Sequence, residues 1–146
     1  MFENHMELRF CSISQNEALA RTVAAAFATQ LNPTIEELTD IRTAVSEAVT
    51  NAIIHGYENR PDQIVCMRCK IEEGSLITIR VRDEGKGIEN VDLARQPFYT
   101  TQPDMERSGM GFSVMEAFMD QVWVESAPGK GTTVTLQKRL QVENHG

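Results

Sequence analysis

One stretch of the sequence, residues 40–56, constrains the fold more than any other. Its apolar residues recur at intervals of three and four, the period of a helix that buries one face. They are Ile41, Ala44, Val45, Ala48, Val49, Ala52 and Ile53. A capping-box pattern, Thr34 with Glu37, precedes the stretch and predicts that the helix begins near Thr34. Gly56 follows the apolar residues and is the expected C-terminal stop.

The predicted helix carries two polar side chains, Glu47 and Asn51, one turn apart on the same side. Both lie at the edge of the apolar stripe, where a buried polar group without a partner costs about 1–3 kcal/mol. They could be an ordinary, partly solvated pair on a core helix. They could also be a general base with a metal ligand beside it, and the helix alone leaves both interpretations open.

The residues before this helix predict a strand and a further helix. Residues 5–13 alternate between polar and apolar, as in a strand with one buried face. Ser14 and Glu17 form a capping-box pattern for a helix that runs to about Leu31. The expected inward residues of that helix are Leu19, Val23, Ala26, Phe27 and Leu31. The residues expected on its far face are Arg21, Ala25 and Ala28.

The second half of the chain predicts mainly strands. These are strands at residues 63–73, 75–83, 121–127 and 132–138, with a helix at 112–119 and a loop-like region at 91–108. The first two strands are joined at Glu73–Gly74 like a hairpin. From Leu140 onward we expect disorder.

This order of elements predicts an α+β fold. We expect a two-layer α/β sandwich, with helices on one face of a mixed, mostly antiparallel sheet. The length suits a single domain over residues 1–146, with a core at 5–138 and a tail at 139–146.

The charge and hydropathy of the chain exclude some classes of function. The net charge of −7 argues against a surface for nucleic acid or for anionic membrane, since Lys and Arg hold both. No apolar run approaches the roughly 18 residues of a membrane span. The N-terminus is acidic and has no signal-peptide pattern, so we expect a cytoplasmic protein.

The Asp83-x-Gly85-x-Gly87 motif follows a predicted buried strand. The glycines allow the backbone to approach a ligand closely. A carboxylate accepts hydrogen bonds, which suits an exocyclic amine such as that of adenine. By itself, however, the motif is more often an ordinary turn after a strand.

Two further glycine motifs occur later in the chain. Gly109-x-Gly111 at a helix start can offer bare N–H groups to phosphates, although it also suits a tight entry turn. Gly129-Lys-Gly131-Thr132 alone is a hairpin turn. The residues ahead of the Gly109 motif that could close over a polyphosphate are Thr100, Thr101, Arg107 and Ser108.

Taken together and in this order, the motifs resemble the GHKL ATP-binding superfamily, which includes gyrases and histidine kinases. Its signature is an N-box Glu-x-x-x-Asn on a helix, an Asp-x-Gly-x-Gly loop, a Gly-x-Gly loop after a mobile lid, and a late Gly-x-Gly-Thr hairpin. The chain carries Glu47…Asn51, Asp83…Gly85…Gly87, Gly109…Gly111 and Gly129…Gly131-Thr132. Residues 43–57, 94–101 and 106–112 are similar to the serine-kinase anti-sigma factors within it.

The resemblance covers residues 5–138 and implies the Bergerat ATP-binding fold together with roles for single residues. It implies that Glu47 is the catalytic base, that Asn51 is a ligand of Mg²⁺ and that Asp83 reads the adenine amine. The implied ATP-binding residues are Asn51, Asp83, Gly85, Lys86, Gly87, Thr100, Thr101, Arg107, Ser108, Gly109, Met110, Gly111, Phe112 and Thr132. Whether Lys86 or Arg107 neutralises the terminal phosphate stays open.

By the same resemblance, the protein is an ATP-dependent serine kinase that phosphorylates an anti-anti-sigma factor and also binds and inhibits a sigma factor of RNA polymerase. The first alternative is a nucleotide-gated module that sequesters the sigma factor with little phosphotransfer. The second is an ATPase that activates water. The presence of Glu47 favours a catalyst over a pure binding module.

The partner surfaces are predicted from single features. Arg21, among Ala25 and Ala28, could meet an acidic or backbone acceptor on a partner, or it could simply be solvated. The first strand is an edge that could pair with a second copy across a two-fold axis, and the resemblance implies a homodimer.

Overall fold

The computed structural model describes residues 3–96 and 111–141, and the fold reported below is that of these two ranges. Five strands form one sheet in the order β1-β2-β3-β5-β4, and each neighbouring pair is antiparallel. The strands are β1 (Asn4–Cys11), β2 (Ile64–Glu72), β3 (Leu76–Asp83), β4 (Gln121–Ala127) and β5 (Gly131–Arg139). The predicted α+β sandwich is confirmed, with a sheet that is antiparallel throughout its described strands.

The helices pack on one face of this sheet. They are α1 (Gln15–Ala28), α2 (Ile35–Asn51), α3 (Val91–Ala94) and α4 (Gly111–Phe118). A 3-10 turn, Thr29–Leu31, follows α1, and a π-helical turn, Ala52–Gly56, continues α2. Helix α2 packs between α1 and α4, so the predicted central helix is central in the fold as well. No helix of the described residues is long and apolar enough to cross a membrane.

The register of the sheet places one polar residue of β3 at the end of an otherwise apolar face. Ile77, Ile79 and Val81 point into the core, and Asp83 continues this alternation as a buried carboxylate. Asp83 lies directly opposite Thr132 of β5, which is buried as well. The strand pattern thus delivers an acid and a hydroxyl to the inner face at one end of the sheet.

The start of α2 confirms the predicted capping box. The N–H of Glu37 donates to Thr34 Oγ1 at 3.0 Å, and the N–H of Thr34 donates to Glu37 Oε1 at 2.9 Å. The helix ends in the π-helical turn, where the N–H of Tyr57 donates to the carbonyl of Ala52 at 2.9 Å. Gly56 marks the end as predicted, but its φ is not positive, so the left-handed stop is not the reason for a glycine there.

The start of α1 differs from the sequence prediction. Ser14 makes no capping hydrogen bond with its side chain. The carboxylate of Glu17 instead accepts a hydrogen bond from the hydroxyl of Ser46 on α2, and it lies 3.5 Å from the guanidinium of Arg21. Glu17 therefore ties α1 to α2 rather than closing the first turn of its own helix.

The inward face of α1 was predicted correctly only in part, because Phe27 and Leu31 are buried as expected and Leu19 and Ala26 are not. Leu19 is 47% exposed and Ala26 is exposed, whereas the buried residues of the helix are Ala20, Ala24, Phe27 and Ala28. The small side chains of these alanines allow α1 to pack closely against its neighbours, which include α2. Ala28 thus lies in the core, not on the far face with Arg21.

Two predicted irregular regions are partly ordered. Within the expected loop at 91–108, α3 forms with Asn90 as its cap, since Asn90 Oδ1 accepts from the N–H of Leu93 at 3.0 Å. The expectation of disorder from Leu140 was wrong for Leu140 itself, which is 2% exposed and donates its N–H to the carbonyl of Ser75 at 2.9 Å. Its apolar side chain is buried where β5 leaves the sheet. Residues 142–146 of that tail lie outside the described residues.

Candidate functional site

A cavity of about 390 Å³ lies between the end of α2 and the glycine-rich end of the sheet. This volume falls within the range of roughly 300–1,000 Å³ that is typical of small-molecule sites. Residues that are far apart in the sequence meet in its lining. Those predicted from the motifs are Asn51, Asp83, Lys86, Gly87, Gly111, Phe112 and Thr132.

The other predicted residues lie elsewhere. Glu47 is partly buried one turn before Asn51 and does not line the cavity in the described part of the chain. Gly85 packs behind the cavity, because a Cβ there would lie 2.0 Å from the carbonyl oxygen of Gly56. Arg21 is on α1, away from the cavity. The predicted residues outside the described ranges are Thr100, Thr101, Arg107, Ser108, Gly109 and Met110.

Asp83 is the buried acid of the cavity. Its carboxylate accepts hydrogen bonds from the N–H of Gly85, at 2.9 Å from Oδ1, and from the N–H of Thr132. Burial raises the pKa of this carboxyl from 3.8 to about 6, and the two N–H donors only partly oppose that rise. A ligand that donates a further hydrogen bond to Asp83 would favour the charged form in this apolar setting.

Gly56 leaves the space in which this carboxylate sits. A Cβ on Gly56 would lie 2.6 Å from the carboxyl carbon and from Oδ1 of Asp83. The sequence analysis assigned Gly56 only to the end of the helix. Its contact with Asp83 joins positions that are remote along the chain, and no local pattern carries a signal for it.

Tyr57 is a second residue whose role was not predicted. It is 1% exposed, and its hydroxyl donates to the carbonyl of Ile64 at 2.6 Å. The same oxygen accepts a hydrogen bond from the N–H of Glu84, also at 2.6 Å. Burial raises the pKa of the Tyr57 phenol, so the hydroxyl is neutral at physiological pH and keeps the proton that it donates.

The loop after Asp83 is held from both sides. On the helix side, the N–H of Lys86 donates to the carbonyl of Gly56 at 3.0 Å. On the sheet side, the N–H of Gly129 donates to the carbonyl of Lys86 at 2.6 Å. Gly87 has a φ of +77°, and a Cβ there would lie 2.0 Å from the carbonyl oxygen of Ala127. The glycines of the motif therefore allow close packing of backbone on backbone.

The hydroxyl of Ser126 on β4 joins this loop to Thr132. Ser126 Oγ accepts from the N–H of Ile88 at 2.8 Å and lies 2.8 Å from Thr132 Oγ1. It also lies 3.0 Å from the carbonyl oxygen of Gly131, to which it donates. Thr132 is thus fixed in the wall of the cavity.

The remaining lining is largely apolar, which suits the flat faces of an aromatic ligand. The apolar members are Ala48, Ala52, Val81, Ile88, Leu93, Ala94 and Val134. His55 lines the cavity too. Ala48, Asn51 and His55 are spaced three and four residues apart, so they lie along one side of a helix. This spacing relative to Asn51 is the signal by which sequence analysis could have found Ala48 and His55.

Comparisons with known proteins find similar sequences over most of the chain. Residues 13–138 match the family model of the histidine kinase-like ATPase domain. The chain is 56% identical over 138 residues to the anti-sigma F factor of Priestia megaterium, covering 94% of each chain. It is 61% identical over 139 residues to the anti-sigma F factor of Thermoanaerobacter sp. (strain X514), covering 95% of this chain and 96% of the relative.

Solved structures share the fold at low sequence identity. The RsbU and RsbW domains of a Mycobacterium tuberculosis protein align with a TM-score of 0.66 at 19% identity, over 94% of this chain and 32% of that one. The histidine kinase domain of a blue-light activated kinase from Erythrobacter litoralis aligns with a TM-score of 0.55 at 20% identity, over 85% of this chain and 61% of that one. From the family model and the full-length relatives together, the chain belongs to the histidine kinase-like ATPase domain family, in the group of the anti-sigma F factors.

Proposed function

We propose that the protein binds ATP with Mg²⁺, phosphorylates a serine of an anti-anti-sigma factor, and also binds and inhibits a sporulation sigma factor in the cytoplasm. The observation that carries the proposal is that Asn51, Asp83 and Thr132 converge on one cavity. The proposal for the partners rests on the relatives, which are named anti-sigma F factors.

The adenine end of the site is the part around Asp83. The exocyclic amine of adenine would donate to the buried carboxylate, and Thr132 stands beside it across the β3–β5 pair. The apolar walls from Ala52, Ile88 and Val134 would cover the faces of the base. Base recognition would thus use one charge-assisted hydrogen bond inside an apolar slot.

The phosphate end would lie toward Asn51 and the start of α4. Gly111 and Phe112, the first residues of α4, line the cavity on that side. The amide oxygen of Asn51 is a hard donor of the kind that Mg²⁺ takes, and Mg²⁺ commonly uses one or two protein ligands together with phosphates and water. Asn51 therefore fits a Mg²⁺ ligand, and the ion would supply charge neutralisation to the phosphates. Lys86 offers a cation in the same lining.

The proposed transfer assigns Glu47 to the attacking hydroxyl. The carboxylate would take the proton of a serine on the protein substrate while the serine oxygen bonds to the γ-phosphorus. The bond between the γ-phosphorus and its bridging oxygen to the β-phosphate breaks, and ADP leaves. Glu47 lies one helical turn from Asn51, so base and metal ligand share one rigid element.

Arg21 remains our proposal for a contact with protein partners. Its side chain is 39% exposed and lies 3.5 Å from Glu17, whose carboxylate is fixed by Ser46. Among the described residues, the Arg21 Nε is buried and has no hydrogen-bond partner. A partner carbonyl or carboxylate would meet the exposed part of the guanidinium and not the buried Nε, which makes the arginine a candidate anchor.

We also propose a homodimer. Strand β1 forms one edge of the sheet, so its outer backbone groups are available for pairing across a two-fold axis. Sedimentation at micromolar concentration should give the mass of a dimer. A monomer under those conditions would count against this part of the proposal.

The deciding experiment is transfer of labelled γ-phosphate. The protein is mixed with Mg-ATP and a candidate anti-anti-sigma protein, and Glu47→Gln is assayed beside it. We expect label on a serine of the partner, and loss of that label in Glu47→Gln while ATP still binds.

Two other results would revise the proposal. ATP binding without transfer to any protein would leave a nucleotide-gated module that sequesters a sigma factor. Release of phosphate without a labelled protein would indicate an ATPase that activates water.

A further inference from the structure

We infer that Tyr57 is a positioning residue for the base of the nucleotide, because its hydroxyl fixes the peptide that carries the adenine-reading carboxylate. The inference rests on the proposed binding of ATP and extends it to a residue that the motifs do not include. Tyr57 does not line the cavity, so it would act through Asp83 and not by touching the ligand.

The Tyr57 hydroxyl lies just beyond the end of β3, where the hydrogen bonds between strands stop. Strand β3 ends at Asp83, whose partner in β5 is Thr132. The N–H of Glu84 is the next donor along the backbone and lies beyond the ladder. The Tyr57 oxygen accepts that N–H at 2.6 Å and so replaces the missing strand partner.

The other side of the same peptide is held by close packing. The carbonyl oxygen of Asp83 lies 2.1 Å from the position of a Cβ on Gly131, so only a glycine admits it there. With its N–H bonded and its carbonyl confined, the Asp83–Glu84 peptide has one orientation. That orientation keeps the Asp83 side chain on the inner face of the sheet, in the wall of the cavity.

The hydroxyl is itself anchored from a third segment. It donates to the carbonyl of Ile64, the first residue of β2, at 2.6 Å. Tyr57 follows the π-helical turn after α2, and its one hydroxyl oxygen connects that turn to the start of β2 and the end of β3. A phenylalanine would keep the buried ring but release the Glu84 N–H and the Ile64 carbonyl.

The test is ATP and ADP binding by Tyr57→Phe, measured by isothermal titration calorimetry after circular dichroism has verified the fold. We expect both affinities to fall about tenfold, since both nucleotides carry the base and the peptide that orients Asp83 loses its hydrogen bond to Tyr57. The preference for ATP over GTP should fall as well. In the phosphotransfer assay, KM for ATP should rise while kcat at saturating ATP stays near that of the parent.

Ile71→Val is the matched control. Ile71 is fully buried in β2 and does not line the cavity, so this variant lowers stability without touching the Asp83–Glu84 peptide. It should keep both the affinity and the base preference of the parent. If the parent protein binds ATP and Tyr57→Phe keeps the same affinity and base preference, the role of Tyr57 is structural only. That result would refute this inference and leave the proposed function intact. A parent protein that does not bind ATP would remove the proposed function and this inference with it.

Discussion

The carboxylate of Asp83 fills the space that a side chain on Gly56 would need. A Cβ at Gly56 would come within 2.6 Å of the carboxyl carbon, and the backbone at Gly56 does not have a positive φ. The glycine is therefore required by the neighbour across the fold and not by its own conformation. This contact joins the helix of Glu47 and Asn51 to the loop of Asp83.

Gly56→Ala should weaken ATP binding about tenfold or more, because the new methyl group displaces the Asp83 carboxylate, to which we assign recognition of the base. Titration calorimetry with ATP and ADP measures the effect. Gly129→Ala is the control, since Gly129 has a φ of +75° but no atom near its Cβ position. That variant carries backbone strain without a steric contact and should keep its affinity, and equal losses in both variants would argue against the displacement of Asp83.

Asp83→Asn should stabilise the nucleotide-free protein at neutral pH while it weakens ATP binding. Burial raises the folded-state pKa of Asp83 from 3.8 to about 6, so the folded state binds a proton more tightly than the unfolded state. The ionised group then destabilises the fold by about 3 kcal/mol above pH 6, and this penalty disappears below pH 3.8.

Urea denaturation of Asp83→Asn at a series of pH values tests whether the ionised Asp83 lowers the free energy of unfolding. The variant should have the higher free energy of unfolding at pH 7.5, and the difference from the parent should vanish near pH 4. Asp62→Asn changes an exposed carboxylate and should show neither effect. A variant that is less stable than its parent at pH 7.5 would contradict the argument.

Leu140→Ala should destabilise the fold by about 2–5 kcal/mol, because Leu140 is 2% exposed. Ile35→Ala removes a side chain that is 84% exposed and should change stability by no more than about 0.5 kcal/mol. Urea denaturation of both variants gives the comparison. Similar values for the two would mean that the C-terminal residues after β5 do not belong to the core.

Arg21→Glu should weaken binding to the sigma factor or the anti-anti-sigma factor by about tenfold or more, as expected for an anchor residue. ATP affinity should stay unchanged, because Arg21 does not line the cavity. Arg42→Glu, an exposed arginine on α2, is the matched charge reversal. Surface plasmon resonance with each partner measures the difference, and unchanged binding in Arg21→Glu would remove this residue from the interface.

Local patterns were sufficient for much of the fold. The capping box at Thr34, the apolar period of α2 and the alternation in β3 each depend on residues close in sequence, and all three are confirmed. The sequence motifs also include Asn51, Asp83 and Thr132, which all line the cavity. Local patterns suffice for these because helix period, strand period and turn chemistry are properties of short segments.

Two features of α1, its buried face and the hydrogen-bond partner of Glu17, could be determined only from the tertiary structure. Ala20 and Ala24 are buried in place of Leu19, because small side chains allow α1 to pack closely against the rest of the fold. Glu17 bonds to Ser46 in place of capping its own helix. Both outcomes depend on which element lies opposite, and a single segment does not carry that information.

The sequence by itself determined most of the elements, their order and the polar residues that we propose for the site. Only the tertiary structure decided that Gly56 leaves space for Asp83 and that the hydroxyl of Tyr57 holds the Asp83–Glu84 peptide. Those contacts join the end of the π-helical turn after α2 to the end of β3. They depend on packing and hydrogen bonding between residues that are far apart in the sequence. Motifs supply the groups of a site, whereas the fold sets the space and the orientation in which they act.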